Sequence, residues 1–126
     1  MDGAAFRSLL ETVRRAWIDG DTEAALACFT DDARYIEPPD TQHYEGREQL
    51  WGFFGGDDPP PMSMSWHTIV FDERLQTGAG EYTFTGTRTY HGVAVIKLRD
   101  GRISNWREYQ HPSNLDWEAF TALNRF

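Results

Sequence analysis

Two glutamates in this sequence stand where strand-like segments could present them to an enclosed space. Glu37 ends the strand-like segment 33–37 and is followed by Pro38. Because proline restricts the preceding residue to extended backbone, Glu37 is predicted to be held at a strand end. Glu108 lies in a second strand-like segment, residues 102–111. A carboxyl group in an apolar surround has a raised pKa, so either residue could exchange protons with a substrate.

Both glutamates also have interpretations without chemistry. Glu37 could be solvated at a rim or paired with an arginine, which would lower its pKa and weaken it as a base. Glu108 could form an ion pair with Arg88 that braces the sheet, because a buried charge needs a partner. The sequence leaves these alternatives open.

The other reactive side chains give weaker signals. The histidines lack the spacing of metal ligands, so neither a metal nor a cofactor is expected. His67, in the middle of a strand, is interpreted as a hydrogen-bonded sheet residue, with a second acid or base as the alternative. No serine occupies a nucleophile elbow. Cys28 lies in an apolar run typical of a protein core.

Helical periodicity dominates the first half of the chain. It predicts an amphipathic helix over residues 4–18, a short helix from Thr22 to Phe29 capped by Asp21, and a third helix from Arg47 to Phe54. The loop from Asp57 to Pro61 follows, and its three prolines cannot join a sheet ladder.

The second half has the period of two that is typical of strands. Strands are predicted at residues 63–74, 80–91, 93–99 and 102–111, with a hairpin at Asp100-Gly101 and a second turn or a bulge at Gly92. A terminal helix is predicted from Leu115, with Trp117, Phe120 and Leu123 on one face. This order predicts one α+β domain over residues 1–126, with a curved antiparallel β-sheet wrapped around the N-terminal helices as a cone.

Composition narrows the class of protein. The chain has 126 residues, a net charge of −8 and 14% aromatic residues. Eleven scattered arginines and the negative charge argue against nucleic-acid binding. No apolar run approaches the roughly 20 residues of a membrane span. Without a secretory signal and with a single cysteine, the protein is expected to be cytoplasmic.

Several short motifs in order along nearly the whole chain resemble the SnoaL-like branch of the nuclear transport factor 2-like superfamily. They are Gly20-Asp21, Phe29-Thr30-Asp31-Asp32-Ala33, Glu37-Pro38, Gly46-Arg47-Glu48, Gly92-Val93-Ala94-Val95, Asp100-Gly101-Arg102-Ile103 and Trp106-Arg107-Glu108-Tyr109. The resemblance implies the cone-shaped fold. It does not imply one activity, because the superfamily includes ketosteroid isomerases, polyketide cyclases, dehydratases and epoxide hydrolases.

The resemblance places Glu37 at the proton-shuttling aspartate of ketosteroid isomerases. Val13 stands at their oxyanion-hole tyrosine and Ala94 at their protonated aspartate. Without these donors a dienolate would lack stabilising hydrogen bonds, so steroid isomerisation is not expected. Nor can the Asp-Arg-Asp set of epoxide hydrolases be assigned.

Strand alternation and the resemblance together predict which side chains face the interior. An aromatic wall with few polar groups is the usual composition of a small-molecule site. Trp106 is a candidate ligand platform, although tryptophans at such positions are more often core. The predicted substrate-binding residues are Trp17, Tyr35, Tyr82, Phe84, Arg88, Trp106 and Gln110, with Gly86 and Tyr90 on the same face and Val13 beside Trp17 at the narrow end.

Three functions fit these features. The first is a cofactor-independent lyase, isomerase or cyclase that acts by proton transfer on an apolar carbonyl compound, with Glu37 as the base and Glu108 or Arg88 as the orienting group. The second is a ligand-binding module that has kept the cavity without the chemistry. The third is a homodimer through an outward threonine face, Thr83, Thr85, Thr87 and Thr89. The expected partners are therefore a small apolar molecule and a second copy of the chain.

Overall fold

The computed structural model describes residues 1–37 and 41–126. Pro38 lies outside this part of the chain, so its predicted effect on Glu37 stays a prediction. The elements in chain order are α1 (Gly3–Ile18), α2 (Thr22–Ala27), β1 (Phe29–Ile36), β2 (His43–Glu45), α3 (Gly46–Phe53), β3 (Ser63–Asp72), β4 (Thr77–Thr85), β5 (Thr89–Arg99), β6 (Arg102–Pro112) and α4 (Trp117–Phe120).

The six strands form one curved, open sheet in the order β2-β1-β6-β5-β4-β3. Neighbouring strands are antiparallel except β1 and β6, which run parallel. The N-terminal helices pack on the concave face, as the α+β prediction required. The parallel pair is the feature that the predicted antiparallel meander did not contain.

Helix α1 fills the concave face because its apolar side chains recur every three or four residues. Phe6, Leu10 and Val13 are each fully buried. Polar links fix the helix against β3, where the Arg14 Nε donates to the Met64 carbonyl oxygen at 2.6 Å and the Trp66 Nε1 donates to the Leu10 carbonyl oxygen at 3.0 Å. The wide end of the cone stays free of this packing.

The predicted turn or bulge at Gly92 was wrong. The β4–β5 hairpin turns at residues 86–88, and Gly92 lies inside β5, paired with Tyr82 on one side and Gln110 on the other. A Cβ atom at position 92 would lie 2.5 Å from the Tyr109 carbonyl oxygen and 2.8 Å from the Tyr82 hydroxyl oxygen. Glycine is therefore present for close approach rather than for a turn.

The C-terminal segment covers part of the convex face. The Trp117 ring stacks on His67 with centroids 3.9 Å apart, and the Leu115 carbonyl oxygen lies 2.8 Å from His91 Nε2. The predicted helix is shorter than expected, since α4 ends at Phe120 and Leu123 is fully exposed rather than packed.

His67 is a hydrogen-bonded sheet residue, as interpreted from the sequence. Its Nε2 lies 2.8 Å from Thr83 Oγ1, which lies 2.9 Å from His91 Nδ1. The predicted threonine face is interrupted, because Thr83 is engaged by both histidines and Thr87 lies in the hairpin turn. The homodimer itself stays a prediction.

In the described ranges, 1–37 and 41–126, no helix has the length and apolar character needed to cross a membrane.

We expect Gly92→Ala to destabilise the fold by about 1–3 kcal/mol, because the added methyl group forces the Tyr82 hydroxyl or β6 to move. Gly52→Ala is the matched control, since nothing lies within 4 Å of a Cβ there. Urea unfolding measures both. Equal stability of the two variants would contradict the tight packing around Gly92.

Candidate active site

A cavity of about 710 Å³ lies between the concave face of the sheet, α1, α3 and the proline loop. All nine residues selected from the sequence line it, although their roles stay predictions. The lining residues are Trp17, Tyr35, Glu37, Gln42, Phe53, Phe54, Pro59, Pro60, Pro61, Met62, Met64, Tyr82, Phe84, Gly86, Thr87, Arg88, Tyr90, Trp106, Glu108 and Gln110.

The parallel pairing of β1 with β6 brings the two glutamates together. In this register Tyr35 lies beside Trp106 and Ile36 beside Arg107. Glu37 follows Ile36 and Glu108 follows Arg107. Both carboxyl groups therefore lie at the same level on the concave face. Their side chains form a hydrogen bond with each other. Residues 71 positions apart in sequence thus become one acidic pair.

Glu108 is buried, and its two carboxylate oxygens are held by donors from three strands. The Tyr35 hydroxyl donates to Oε1 at 2.5 Å, and the Trp106 Nε1 donates to the same oxygen at 3.2 Å. The Tyr82 hydroxyl donates to Oε2. These three donors satisfy both oxygens of the buried Glu108 carboxyl group.

Tyr82 reaches Glu108 across an intervening strand. Tyr82 belongs to β4 and Glu108 to β6, and β5 lies between them. The residues of β5 at this level are Gly92 and Ala94, which pair with Gln110 and Glu108. Their small side chains leave the space above β5 that the phenol ring occupies.

Glu37 is partly buried at the cavity wall and hydrogen-bonds with the side chains of Glu108, Gln110 and Tyr35. Burial, followed by the charge of Glu108 and the hydrogen bond with it, raises the pKa of Glu37 from 4.5 to about 9. Two adjacent carboxyl groups cannot both ionise readily, so the pair titrates as a unit. At neutral pH the pair holds one proton and one negative charge.

Burial and the charge of Glu108 also raise the pKa values of the tyrosines that support it. The shift is upward for both Tyr35 and Tyr82, so both hydroxyl groups stay protonated as donors at physiological pH. The sequence identified these residues as cavity walls only. Their donor role depends on hydroxyl positions that alternation does not specify.

Stacked and tilted rings form the apolar wall around the pair. Tyr35 stacks on Trp106 with centroids 5.3 Å apart and an interplanar angle of 8°. Trp17 meets Trp106 edge-on at 5.5 Å. Its Nε1 is buried without a hydrogen-bond partner among the described residues. The wall offers a substrate large apolar contact and few alternative polar anchors.

The predicted ion pair between Glu108 and Arg88 was wrong. Both residues are described, and the oxygens of Glu108 are taken by Tyr35, Tyr82 and Trp106 instead. Arg88 lies in the β4–β5 turn, where its guanidinium sits 5.8 Å from the centroid of the Tyr90 ring. The hairpin turn carries it to the cavity mouth, away from the carboxyl pair.

Sequence reasoning missed the contribution of α3 and of the loop after it. Phe53 and Phe54 line the cavity, as do Pro59, Pro60 and Pro61. An apolar pair at the end of a short helix, next to a proline run, was the available signal. It could not show on which side of the sheet the helix packs.

Within residues 1–37 and 41–126, no group of three or more His, Cys, Asp and Glu side chains is arranged to hold a metal ion.

We expect wild-type stability to fall as pH rises from about 5 towards 9. Glu37 has a higher pKa in the folded state than in the unfolded chain, so the folded state binds the extra proton in this range. Stability gained from that proton is present at low pH and is lost as pH rises through the folded pKa. Thermal melts at intervals of pH measure this slope.

Glu37→Gln should flatten that slope, since the amide mimics the protonated carboxyl and does not titrate. Glu48→Gln, at an exposed glutamate of α3, is the control and should keep the wild-type slope. Identical slopes in all three proteins would show that Glu37 is ionised in the fold.

We expect Tyr82→Phe to destabilise the protein by about 1–3 kcal/mol, because one oxygen of the buried Glu108 carboxylate loses its donor. Tyr109→Phe removes the same hydroxyl group from a convex-face residue that is 47% exposed, and should change stability by less than about 0.5 kcal/mol. Chemical unfolding compares the two. A negligible loss in Tyr82→Phe would argue that the hydroxyl does not support Glu108.

Comparison with solved structures shows what this fold is similar to. An NTF-2 like protein of unknown function from Burkholderia xenovorans is 18% identical and superposes with a TM-score of 0.74, covering 98% of this chain and 94% of the other. A putative ketosteroid isomerase from Kribbella flavida is 19% identical, with a TM-score of 0.73 and coverage of 90% and 82%.

The epoxide hydrolase/cyclase-like enzyme SalBIII, described in pyran ring formation in the polyether salinomycin, is 17% identical. Its TM-score is 0.74, with 83% of this chain and 89% of the other covered. Curated protein sequences give no significant match. The model of the SnoaL-like domain family matches residues 10–106, most of the chain. By this match the chain belongs to the SnoaL-like domain family, and its fold is similar to that of nuclear transport factor 2-like proteins.

Proposed function

We propose that this protein is a cofactor-independent lyase, isomerase or cyclase that moves a proton on a small apolar carbonyl compound. The observation that supports the proposal is the Glu37–Glu108 pair, set in the wall of an otherwise aromatic cavity. Such a pair holds an exchangeable proton where water competes poorly for the substrate oxygen.

The raised pKa of Glu37 changes the order of events expected from the sequence. At neutral pH Glu37 carries the proton, so it acts first as the acid and donates to the substrate oxygen. The resulting carboxylate then accepts a proton from the activated substrate, which restores the pair. One proton leaves and one returns, and no external acid or base is consumed.

Glu108 acts in this scheme as a fixed negative charge that keeps the proton on Glu37. The donors Tyr35, Tyr82 and Trp106 hold it in the ionised form and in one orientation. When Glu37 loses its proton, the hydrogen bond of Gln110 to it favours the carboxylate. The pair is therefore supported in both protonation states of Glu37.

The similar structures include a putative ketosteroid isomerase and an epoxide hydrolase/cyclase-like enzyme. Both names describe reactions in which a proton moves to or from a substrate, which agrees with the proposal. At identities of 17% and 19% these likenesses support the fold alone. The substrate class rests on the cavity of this chain.

A binding module without chemistry is the second candidate. Its support is the lack of polar donors at Val13 and Ala94, which are both fully buried apolar residues. In this case the carboxyl pair would anchor a ligand oxygen through the Glu37 proton. Turnover separates the two candidates.

We expect the wild-type protein to accelerate exchange of the α-protons of 2-tetralone in D₂O, followed by proton NMR. Glu37→Gln should reduce the exchange rate by about 10²–10⁴-fold, the usual contribution of a positioned acid or base. The wild-type rate should fall as pH rises through about 9, where the acid form of Glu37 is lost.

Glu48→Gln serves again as the exposed control and should exchange at the wild-type rate. Undiminished exchange in Glu37→Gln would remove Glu37 from the mechanism. Binding of 2-tetralone without any accelerated exchange would favour the binding module.

A further inference from the structure

Arg88 is a cation at the mouth of an apolar cavity whose inner end is acidic. It lines the cavity from the β4–β5 turn, whereas the other charged lining residues are Glu37 and Glu108. Among the described residues, no carboxylate lies within ion-pair distance of Arg88. The six ion pairs among the described residues all join other arginines to Asp or Glu.

The Arg88 guanidinium contacts an aromatic ring and forms no ion pair among the described residues. It lies 5.8 Å from the Tyr90 ring centroid, and Tyr90 also lines the cavity. A contact with an aromatic face leaves the N–H donors at the edge of the guanidinium free for a planar anion. The aromatic contact therefore directs the fork of donors towards a ligand at the mouth.

The distance between Arg88 and the Glu37–Glu108 pair sets the length of a ligand that contacts both. Ala94 pairs with Glu108, and Arg88 precedes Ala94 by six positions along the chain, in the turn before β5. At about 3.3 Å per strand residue, the two levels lie about 20 Å apart along the sheet. The arginine side chain shortens this span, so a ligand with a long apolar body reaches from one end to the other.

The charges at the two ends of the cavity determine the orientation of such a ligand. The carboxyl pair carries a negative charge at neutral pH, so it repels an anionic group and accepts a neutral oxygen through the Glu37 proton. Because the net charge of the chain is −8, an acidic ligand is attracted only where a local cation such as Arg88 offsets the surrounding negative charge. A carboxylate is therefore favoured at Arg88 and disfavoured at the inner end.

We propose that the natural substrate is an organic acid with an extended apolar body, bound with its carboxylate on Arg88 and its reacting oxygen at the Glu37–Glu108 pair. This inference deepens the proposed function and rests on it for the role of the inner end. Arg88 is then a specificity-determining residue: it orients the substrate without taking part in the proton transfer.

The test compares dodecanoate with methyl dodecanoate, which has a similar body without the charge. Both are titrated at pH 7.5, at low salt and below the micelle concentration, with the fluorescence of the cavity tryptophans Trp17 and Trp106 as the signal. The wild-type protein should bind the acid about tenfold more tightly than the ester, as a charge-assisted bidentate contact predicts. Added NaCl should reduce the difference, because Arg88 is exposed.

Arg88→Gln should weaken dodecanoate binding to the level of the ester and leave the ester unchanged. Arg107→Gln is the matched control: it removes the same charge from an exposed residue that faces away from the cavity, and should keep the preference. Arg88→Lys should keep part of the preference for dodecanoate over the ester. Since Arg88 lies in an exposed turn, these variants are expected to fold normally, which thermal melts verify.

Three results would overturn the inference. They are equal binding of dodecanoate and its methyl ester, no binding of dodecanoate, or a preference for dodecanoate that survives in Arg88→Gln. Glu37→Gln separates this failure from that of the proposed function. It should abolish exchange of 2-tetralone while keeping the preference for dodecanoate. Loss of the Arg88 effect with exchange intact would discard the acid substrate and leave the proton-transfer proposal standing.

Discussion

The hydrogen bond between the side chains of Glu37 and Glu108 is the contact on which the site depends. It exists because β1 and β6 run parallel in a register that brings their concave-face residues to the same level. Two carboxyl groups at this separation inside an apolar wall cannot both be charged without a large free-energy cost. The two carboxyl groups therefore share one proton. The acid–base chemistry of the cavity depends on which of the two glutamates carries it.

The rest of the concave face is organised to keep that proton on Glu37, the less buried member of the pair. Glu108 receives donors from its own strand, from β1 and from β4. The donor from β4 requires small residues at Gly92 and Ala94 on the strand between. Stability and chemistry are therefore coupled here: the packing that admits the Tyr82 ring also sets the charge state of the acid beside it.

The convex face uses polar residues differently. His67, Thr83 and His91 form a hydrogen-bonded row that ends at the Leu115 carbonyl oxygen, under the ring of Trp117. These contacts attach the C-terminal segment and lie on the opposite side of the sheet from the cavity. The same strands thus carry an acid–base pair on one face and a structural hydrogen-bond network on the other.

Periodicity and turn chemistry in the sequence were sufficient to predict the N-terminal helices, most of the strands without their bounds, the α+β class and the side chains that face inward. Those properties follow from local backbone preferences and from the alternation of strand residues, which act over a few positions. Tertiary structure alone decided that β1 joins β6 in parallel, that Gly92 lies inside a strand, and that Glu108 is bound by tyrosines rather than by Arg88. Each of these depends on contacts between residues far apart in the chain, where small differences in register and volume select the partner and no local pattern records the choice.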